Sequence, residues 1–582
     1  MSNLLSQASL VMIPSGYKED TVYSPVPTNG NGDLSFTRAS NGTRVNSAGL
    51  VEVCPWNLVQ QSEDFTNAAW TTANLSVTSN STTAPNGTTT ADTITEDTST
   101  TRKILYTTPT IVANQEITLT IYVKANTLHY IRLIANDLSE NFRWFGAQFN
   151  LTALTYTSAT GSNGNATFTS ASITDAGNGW YRISVSGTIN TTSLLFGIFP
   201  SNGTALSSSD DRGGNTYLGT SKTAYIWGAQ LNIGATAKPY FPTTDRLNVP
   251  RLTYQNGGGG CPSLLLEKQS TNLLTYSEQF DNAAWSKSNV TITANNTTSP
   301  DGTQNADLAT ATSGGELLQG LVLNTSTSYT FSFYVKKGTA TDAKYRVYNF
   351  DAGVNVVSPI SYISQTNTST WVRVSVSFTS SATGVNYGIY LLDSASAGTM
   401  YFWGAQMEAS SYVTSYIQST SSSATRVADA CFKTGISSLI GQTEGTMFVD
   451  FVFSRATDEY AYFSIQNASA SSRVRVTYTR SSNTMQIDLV IAGAASIIYT
   501  FNPSDSQRYK IAVGYKSGDS VAYINGSQVG TQAATFTYTD LSSLNYDNPA
   551  ASGTQPMTGK HNQTILFPTR LTNAQLASLT TI

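Results

Sequence analysis

Two stretches hold the side chains best suited to recognition chemistry. LHYIRL (128–133) and NFRWFGAQF (141–149) offer His129, Tyr130, Arg132, Arg143 and Trp144, and YRVYNFD (345–351) offers Tyr345, Arg346, Tyr348 and Asp351. Aromatic rings beside charged groups suit a sugar, whose C–H faces stack on rings while its hydroxyls need polar partners. Tyr130, Arg132, Arg143, Trp144, Tyr345, Arg346, Tyr348 and Asp351 are therefore the candidate glycan-binding residues. The competing expectation is that they pack internally or against a second protomer.

Other chemistries find less support. Glycoside hydrolysis needs two carboxylates about 5–10 Å apart, and none of the 36 acidic residues falls in a recognisable pair. The two histidines stand alone, His129 in a strand-like run and His561 in GKHNQT. With no nucleophile elbow, metal triad or phosphate loop, no catalytic residue and no cofactor is expected. Calcium prefers six to eight oxygen ligands; Asp519 and Asn525 at loop tips could contribute, but the D-x-D-x-D-G pattern is missing, so no metal residue is assigned. Cys54, Cys261 and Cys431 are far apart and lack ligand spacing, which reads as three reduced thiols in a protein made in a reducing cytosol.

The elements that position these residues follow from composition. Only 12% of the 582 residues are charged, while 40% are hydrophobic and 31 Tyr, 23 Phe and 8 Trp are present. That excludes a coiled coil and disorder, and short β-branched and aromatic runs between Gly, Asn, Asp and Ser turns predict an all-β protein of sandwiches. A net charge of −4 gives no general attraction for nucleic acid. No apolar run is long enough for membrane insertion, and the first residues make a poor signal peptide.

An internal repeat sets the domain plan. NLVQQSEDFTNAAW (57–70) matches NLLTYSEQFDNAAW (272–285) at an offset of 215; WYRISVS (180–186) matches WVRVSVS (371–377), and WGAQ recurs at 227–230 and 403–406. By that last match the offset is 176, so the first copy is longer by about 39 residues. The paired tryptophans Trp70/Trp285, Trp180/Trp371 and Trp227/Trp403 are expected in cores or joints. Period-two alternation, as in Leu119, Ile121 and Val123, makes each copy a two-layer sandwich. The expected boundaries are 1–55, an N-terminal segment and linker; 56–244, the first sandwich; 245–270, a joint; 271–420, the second sandwich; and 421–582, a third. Asn525-Gly526 signals a hairpin, and Thr572 with Gln575 signals a capped helix.

These segments resemble an architecture of tailed-bacteriophage fibre and adhesin proteins. The NAAW and WGAQ blocks resemble carbohydrate-binding-module-like jelly rolls, LVMIPSGYKEDTVYSPVP (10–27) with FTRASNGTRVNSAGLVE (36–52) resembles the segment that precedes them, and the C-terminal third resembles a concanavalin A-like (laminin G-like) domain. The resemblance implies two homologous jelly-roll β-sandwiches in tandem followed by a concanavalin A-like β-sandwich. It also implies a virion protein assembled in the bacterial cytoplasm, a tail or head fibre docked to other virion proteins through its N-terminal segment, with non-catalytic adhesion to surface glycans. A homotrimer is favoured over a dimer. The rivals are a purely structural head fibre or capsid decoration and, below it, a polysaccharide depolymerase.

Overall fold

The computed structural model describes residues 2–111, 113–255, 258–455, 460–547 and 556–582, and its regular secondary structure is almost entirely β-strand. Two compact units form: 55–246 with 302–304, and 1–54 with 247–301 and 305–582. Among the described residues no helix is long and apolar enough to cross a membrane.

The first unit is one jelly-roll sandwich of two six-stranded sheets. One sheet runs Thr155–Thr160, Trp144–Asn150, Tyr130–Asp137, Leu194–Ser201, Ile104–Thr107, Thr71–Ala73. The other runs Ala166–Gly177, Trp180–Ile189, Glu116–Ala125, Thr223–Ile233, Ala91–Glu96, Leu75–Thr82. Leu119, Ile121 and Val123 face the core, as their alternation predicts.

The second sandwich keeps the inner strands of this plan, but it has no counterpart of Ala166–Gly177, and two of its strands run on where those of the first copy are broken, Ser286–Thr297 being one of them. Ala306–Val322 is a single 17-residue strand that crosses both layers, pairing through Asp307–Ala311 with Gly398–Glu408 and through Gly315–Val322 with Asn386–Ala395. Gly314, at φ 77°, makes the bend. In the first sandwich the corresponding path is broken between Ala91–Glu96 and Ile104–Thr107.

The repeated sequence blocks encode a repeated hydrogen-bond frame. Asn57 donates to the Ala229 and Phe241 carbonyls, and Asn272 to those of Ala405 and Ile417. The Trp70 and Trp285 indoles donate to Gln61 and Tyr276 carbonyls; those of Trp180 and Trp371 donate to Thr83 and Thr298. Asp92 and Asp307 each accept from two backbone amides of their own copy. Buried polar groups need such partners, which explains why these residues persist while their surroundings diverge.

One frame residue gives a pH dependence. Glu278 accepts from the Tyr416 hydroxyl at 2.9 Å and from Gln418 at 3.0 Å. Burial, then the neighbouring Asp301 and Asp307, push its carboxyl from the usual 4.5 up to about 8. A raised folded-state pKa means its contribution to stability is complete below about 4.5 and is lost as pH rises towards about 8. Glu278→Gln is expected to flatten the decline in urea midpoint across that window. An unchanged slope would show that Glu278 does not titrate there.

The C-terminal sandwich is assembled from three separated stretches. One sheet runs Leu252–Thr253, Ser263–Leu266, Gly559–Phe567, Glu444–Phe453, Arg508–Lys516, Ser520–Ile524, Ser527–Gln532, with Leu10–Met12 also on Gly559–Phe567. The other runs Tyr17–Lys18, Thr21–Val22, Leu34–Thr37, Ala430–Thr434, Ser543–Asn545, Tyr460–Gln466, Arg473–Thr479, Thr484–Ile491, Ala494–Phe501. The boundaries expected from sequence change accordingly. Residues 10–37 are not a separate arm but strands of this sandwich, with Leu10, Met12, Val22, Leu34 and Phe36 in its core. The joint also supplies Leu252, Leu264 and Leu266 to that core. Asn525 (φ 49°) and Gly526 (φ 87°) turn the predicted hairpin, and Thr572 caps helix Asn573–Thr580 with the full capping box.

A buried charge network ties these stretches together. Asp429 accepts from Arg38 at 2.8 Å, from the Glu267 amide at 2.8 Å, and from Arg251. Glu267 in turn pairs with Arg251 at 2.7 Å and Arg426 at 3.3 Å. Desolvation pulls the Arg38 guanidinium below its ordinary value, whereas Arg251, held by two carboxylates, ends above it despite its burial. The arginines beside it hold Glu267 well below the usual carboxylate range.

Candidate functional site

Six of the eight candidate residues lie on strands of two equivalent sheets, Arg143 and Asp351 just outside them, and they meet different fates. Arg132 pairs with Phe199, and Ile134 with Gly197; in the second sandwich Arg346 pairs with Tyr390, and Tyr348 with Gly388. Tyr106 lies beyond Gly197, and Gly320 lies beyond Gly388. Arg132 and Arg346 thus hold the same position on the outward face of the same sheet.

In the first sandwich that face is roofed. Residues 202–216, which have no counterpart in the second copy, cross it. Arg132 is fully buried and holds this segment through Asp210 at 2.8 Å, the Gly213 carbonyl at 2.9 Å and the Thr204 carbonyl at 2.8 Å. The Trp144 indole, also buried, donates to the Asp210 carbonyl and packs with Ile104, Ile134, Leu195 and Phe199. A Cβ on Gly213 would lie 3.0 Å from Ile134 carbons, which shows how closely the roof sits. Arg143 pairs with Asp137 at 2.8 Å, and the half-buried Tyr130 accepts from Asn150. Arg132 and Trp144 are therefore corrected from ligand candidates to supports of this segment, because no ligand can reach them beneath it.

In the second sandwich the face is open. Arg346 lies 4.0 Å from the Tyr390 ring centroid and 5.2 Å from that of Tyr348, and pairs with Asp393 at 3.1 Å. The Phe350 ring meets Tyr348 edge-on at 5.5 Å and is 49% exposed, while Val322 is 73% exposed. Gly388 lies beneath Phe350 and Tyr390, where a Cβ would come within 2.8 Å of each; over Gly320 there is nothing within 4 Å. The result is a bare backbone floor at Gly320 with rings on one flank and Arg346 and Asn386 at hand for polar contacts. Tyr345 points the other way, into the core, stacked on Tyr362. Asp351 closes the neighbouring loop by accepting from Val385, Asn386 and the Asn386 side chain. Of the four residues expected in this copy, Arg346 and Tyr348 lie on this face with the exposed Phe350 and Gly320, while Tyr390 and Gly388 are covered, Tyr390 by the Arg346 guanidinium and Gly388 by the Phe350 and Tyr390 rings. The missed signal is the drop in repeat offset between WYRISVS and WGAQ, which places an insertion over this face in the first copy alone.

The remaining candidates are tied into turns or cores. Asp519 pairs with Arg570 at 3.1 Å, and Asn525 accepts from the Lys510 amide at 2.8 Å. His129 meets Thr152 at 3.0 Å. His561 is buried against Phe451 and Tyr546, and desolvation lowers its pKa to about 4. Among the described residues no group of three or more His, Cys, Asp or Glu is arranged to hold a metal. Cys54 and Cys431 are buried and Cys261 is exposed, all three as free thiols.

The fold and face define an all-β protein of three sandwiches, the second with an unroofed sheet. No protein-family model and no curated protein matches the chain. Among solved structures, the CBM22-1–CBM22-2 tandem of Paenibacillus barcinonensis Xyn10C is 11% identical, covering 61% of this chain and 97% of that one, at a TM-score of 0.19. The CBM40 of Ruminococcus gnavus IT-sialidase, bound to α2,6-sialyllactose, is 13% identical over 24% of this chain and 84% of that one, at 0.20. The LG1–3 region of the laminin α2 chain is 9% identical over 81% and 96%, at 0.17. Likenesses this weak carry nothing about the site, which stands on the chain's own residues.

Proposed function

We propose that this chain is a non-catalytic adhesin of a tailed-bacteriophage particle, a surface fibre that holds host-surface or mucosal glycans on the open face of its second sandwich. The observation that carries the binding part is the unroofed floor at Gly320, flanked by Tyr348, Phe350 and Arg346. Ring faces there pack on the C–H face of a sugar, the Arg346 guanidinium donates to its hydroxyl oxygens, and the Asn386 side-chain oxygen accepts from its hydroxyls. The phage part is supported by the sequence resemblance of the NAAW, WGAQ and N-terminal blocks. One shallow face binds weakly. Assembly into a homotrimer on the particle would raise avidity about 10²–10⁴-fold where geometry allows. Because residues 10–37 are built into the C-terminal sandwich, docking to other virion proteins falls to exposed residues of the N-terminal stretch 1–55, such as Leu5 and Tyr23. A glycan array on the full chain tests the reading: retained glycans that Gly320→Leu releases support it, and no retained glycan sinks it. Labelling of whole virions tests the particle assignment separately.

A further inference from the structure

A cavity of about 440 Å³ opens within the larger unit, between the second and C-terminal sandwiches, with Arg44, Gln255, Tyr334, Arg373, Ser506 and Lys560 among its walls. Strand alternation puts Lys560 there: on Gly559–Phe567 the next residue, His561, is buried in the sandwich, so Lys560 takes the opposite face beside Leu265 and Val452. The cavity's charges do not cancel. Arg44 is neutralised by Glu52 at 2.9 Å, and Glu267 is occupied by Arg251 and Arg426. Arg373 donates to the neutral Thr414 carbonyl at 2.7 Å and to the Ser332 hydroxyl at 3.1 Å, and its buried Nε has no partner. Lys560 forms no ion pair among the described residues. Two cations, Lys560 and Arg373, thus make no ion pair of their own among the described residues, and Glu267, the carboxylate that acts on Lys560, is already engaged by two arginines.

We propose that this cavity is a second binding site, separate from the open sheet face, for a ligand of monosaccharide size that carries one acid group, with Lys560 as the cation that takes the acid. The volume lies at the lower end of the roughly 300–1,000 Å³ of small-ligand pockets. A charge-assisted hydrogen bond in a partly desolvated site is about twice as strong as a neutral one, so the acid group supplies most of the selectivity. Burial lowers the Lys560 ammonium's pKa against the opposing pull of the Glu267 charge, so desolvation outweighs the one carboxylate that acts on it. A carboxylate and a phosphate ester share this chemistry.

Calorimetric titration of the full chain with glucuronate, glucose 6-phosphate and glucose tests the site and separates the two acids. At least one acid is expected to bind and glucose not to bind. Lys560→Gln should weaken that binding at least tenfold with an unchanged melting temperature, and Lys560→Arg should restore most of it. Gly320→Leu should leave it unaltered, which keeps failure here distinct from failure of the sheet-face reading. The proposal is overturned if neither acid binds, if glucose binds as well as the acids, or if Lys560→Gln binds as the unaltered chain does.

Discussion

A chain lacking residues 1–37 is expected to lose the C-terminal sandwich altogether. Leu10, Met12, Val22, Leu34 and Phe36 are fully buried in that core, and each such side chain contributes about 1.5–3 kcal/mol on burial. Together they amount to roughly 10 kcal/mol, the size of the whole net stability of a typical domain, about 5–15 kcal/mol. The strands Leu10–Met12 and Leu34–Thr37 also cover backbone edges of Gly559–Phe567 and Ala430–Thr434. Limited proteolysis checks this. The first sandwich, with its own core within 55–246, should survive as a resistant fragment while residues beyond 430 are degraded. Equal protection of both regions would show that the N-terminal strands are dispensable. By the same reasoning, a fragment of residues 421–582 should not fold alone.

The second large effect is expected from Asp429→Ala. Among the described residues the substitution strips Arg38 of the one carboxylate it pairs with and leaves Arg251 with Glu267, both guanidiniums being fully buried. Breaking a buried pair by removing one partner costs about 3–5 kcal/mol, because the remaining charge stays desolvated. Urea unfolding should show a loss of that size, with a smaller loss for Asp429→Asn, which keeps the shape and some hydrogen bonds. A loss under about 1 kcal/mol for Asp429→Ala would mean that water reaches the arginines and the network is not closed.

What could be read from the sequence follows from the distance over which each feature is encoded. The Asn525-Gly526 hairpin and the Thr572–Gln575 capping box are local, and both are present. The two jelly rolls were legible because duplication printed the same hydrogen-bond frame twice, with Asn57 and Asn272 doing the same job. The membership of residues 10–37 was not legible. LSFT alternates as a strand should, but nothing local says that Leu10 pairs with Leu566 or Phe36 with Cys431. The buried network is similarly scattered, since Arg38, Arg251, Glu267 and Asp429 come from three distant stretches.

The candidate site was half legible for a related reason. Residue type alone treats Arg132 and Arg346 alike, and both have aromatic neighbours. Strand register places them at one position, and the additional segment 202–216 then separates them by burying the first. Trp144 is a ligand candidate by residue type alone, and its indole is instead spent on the Asp210 carbonyl of the roof.

The account stands most directly on Gly320. A Cβ there has no atom of the folded chain within 4 Å, so Gly320→Leu is expected to cover the floor without disturbing the sheet. Titration of an array-identified glycan into the unaltered chain and into Gly320→Leu, with melting temperatures in parallel, is the deciding measurement. The account predicts at least a tenfold loss of affinity at an unchanged melting temperature. Equal affinity in the two proteins would contradict it and place the glycan elsewhere on the molecule.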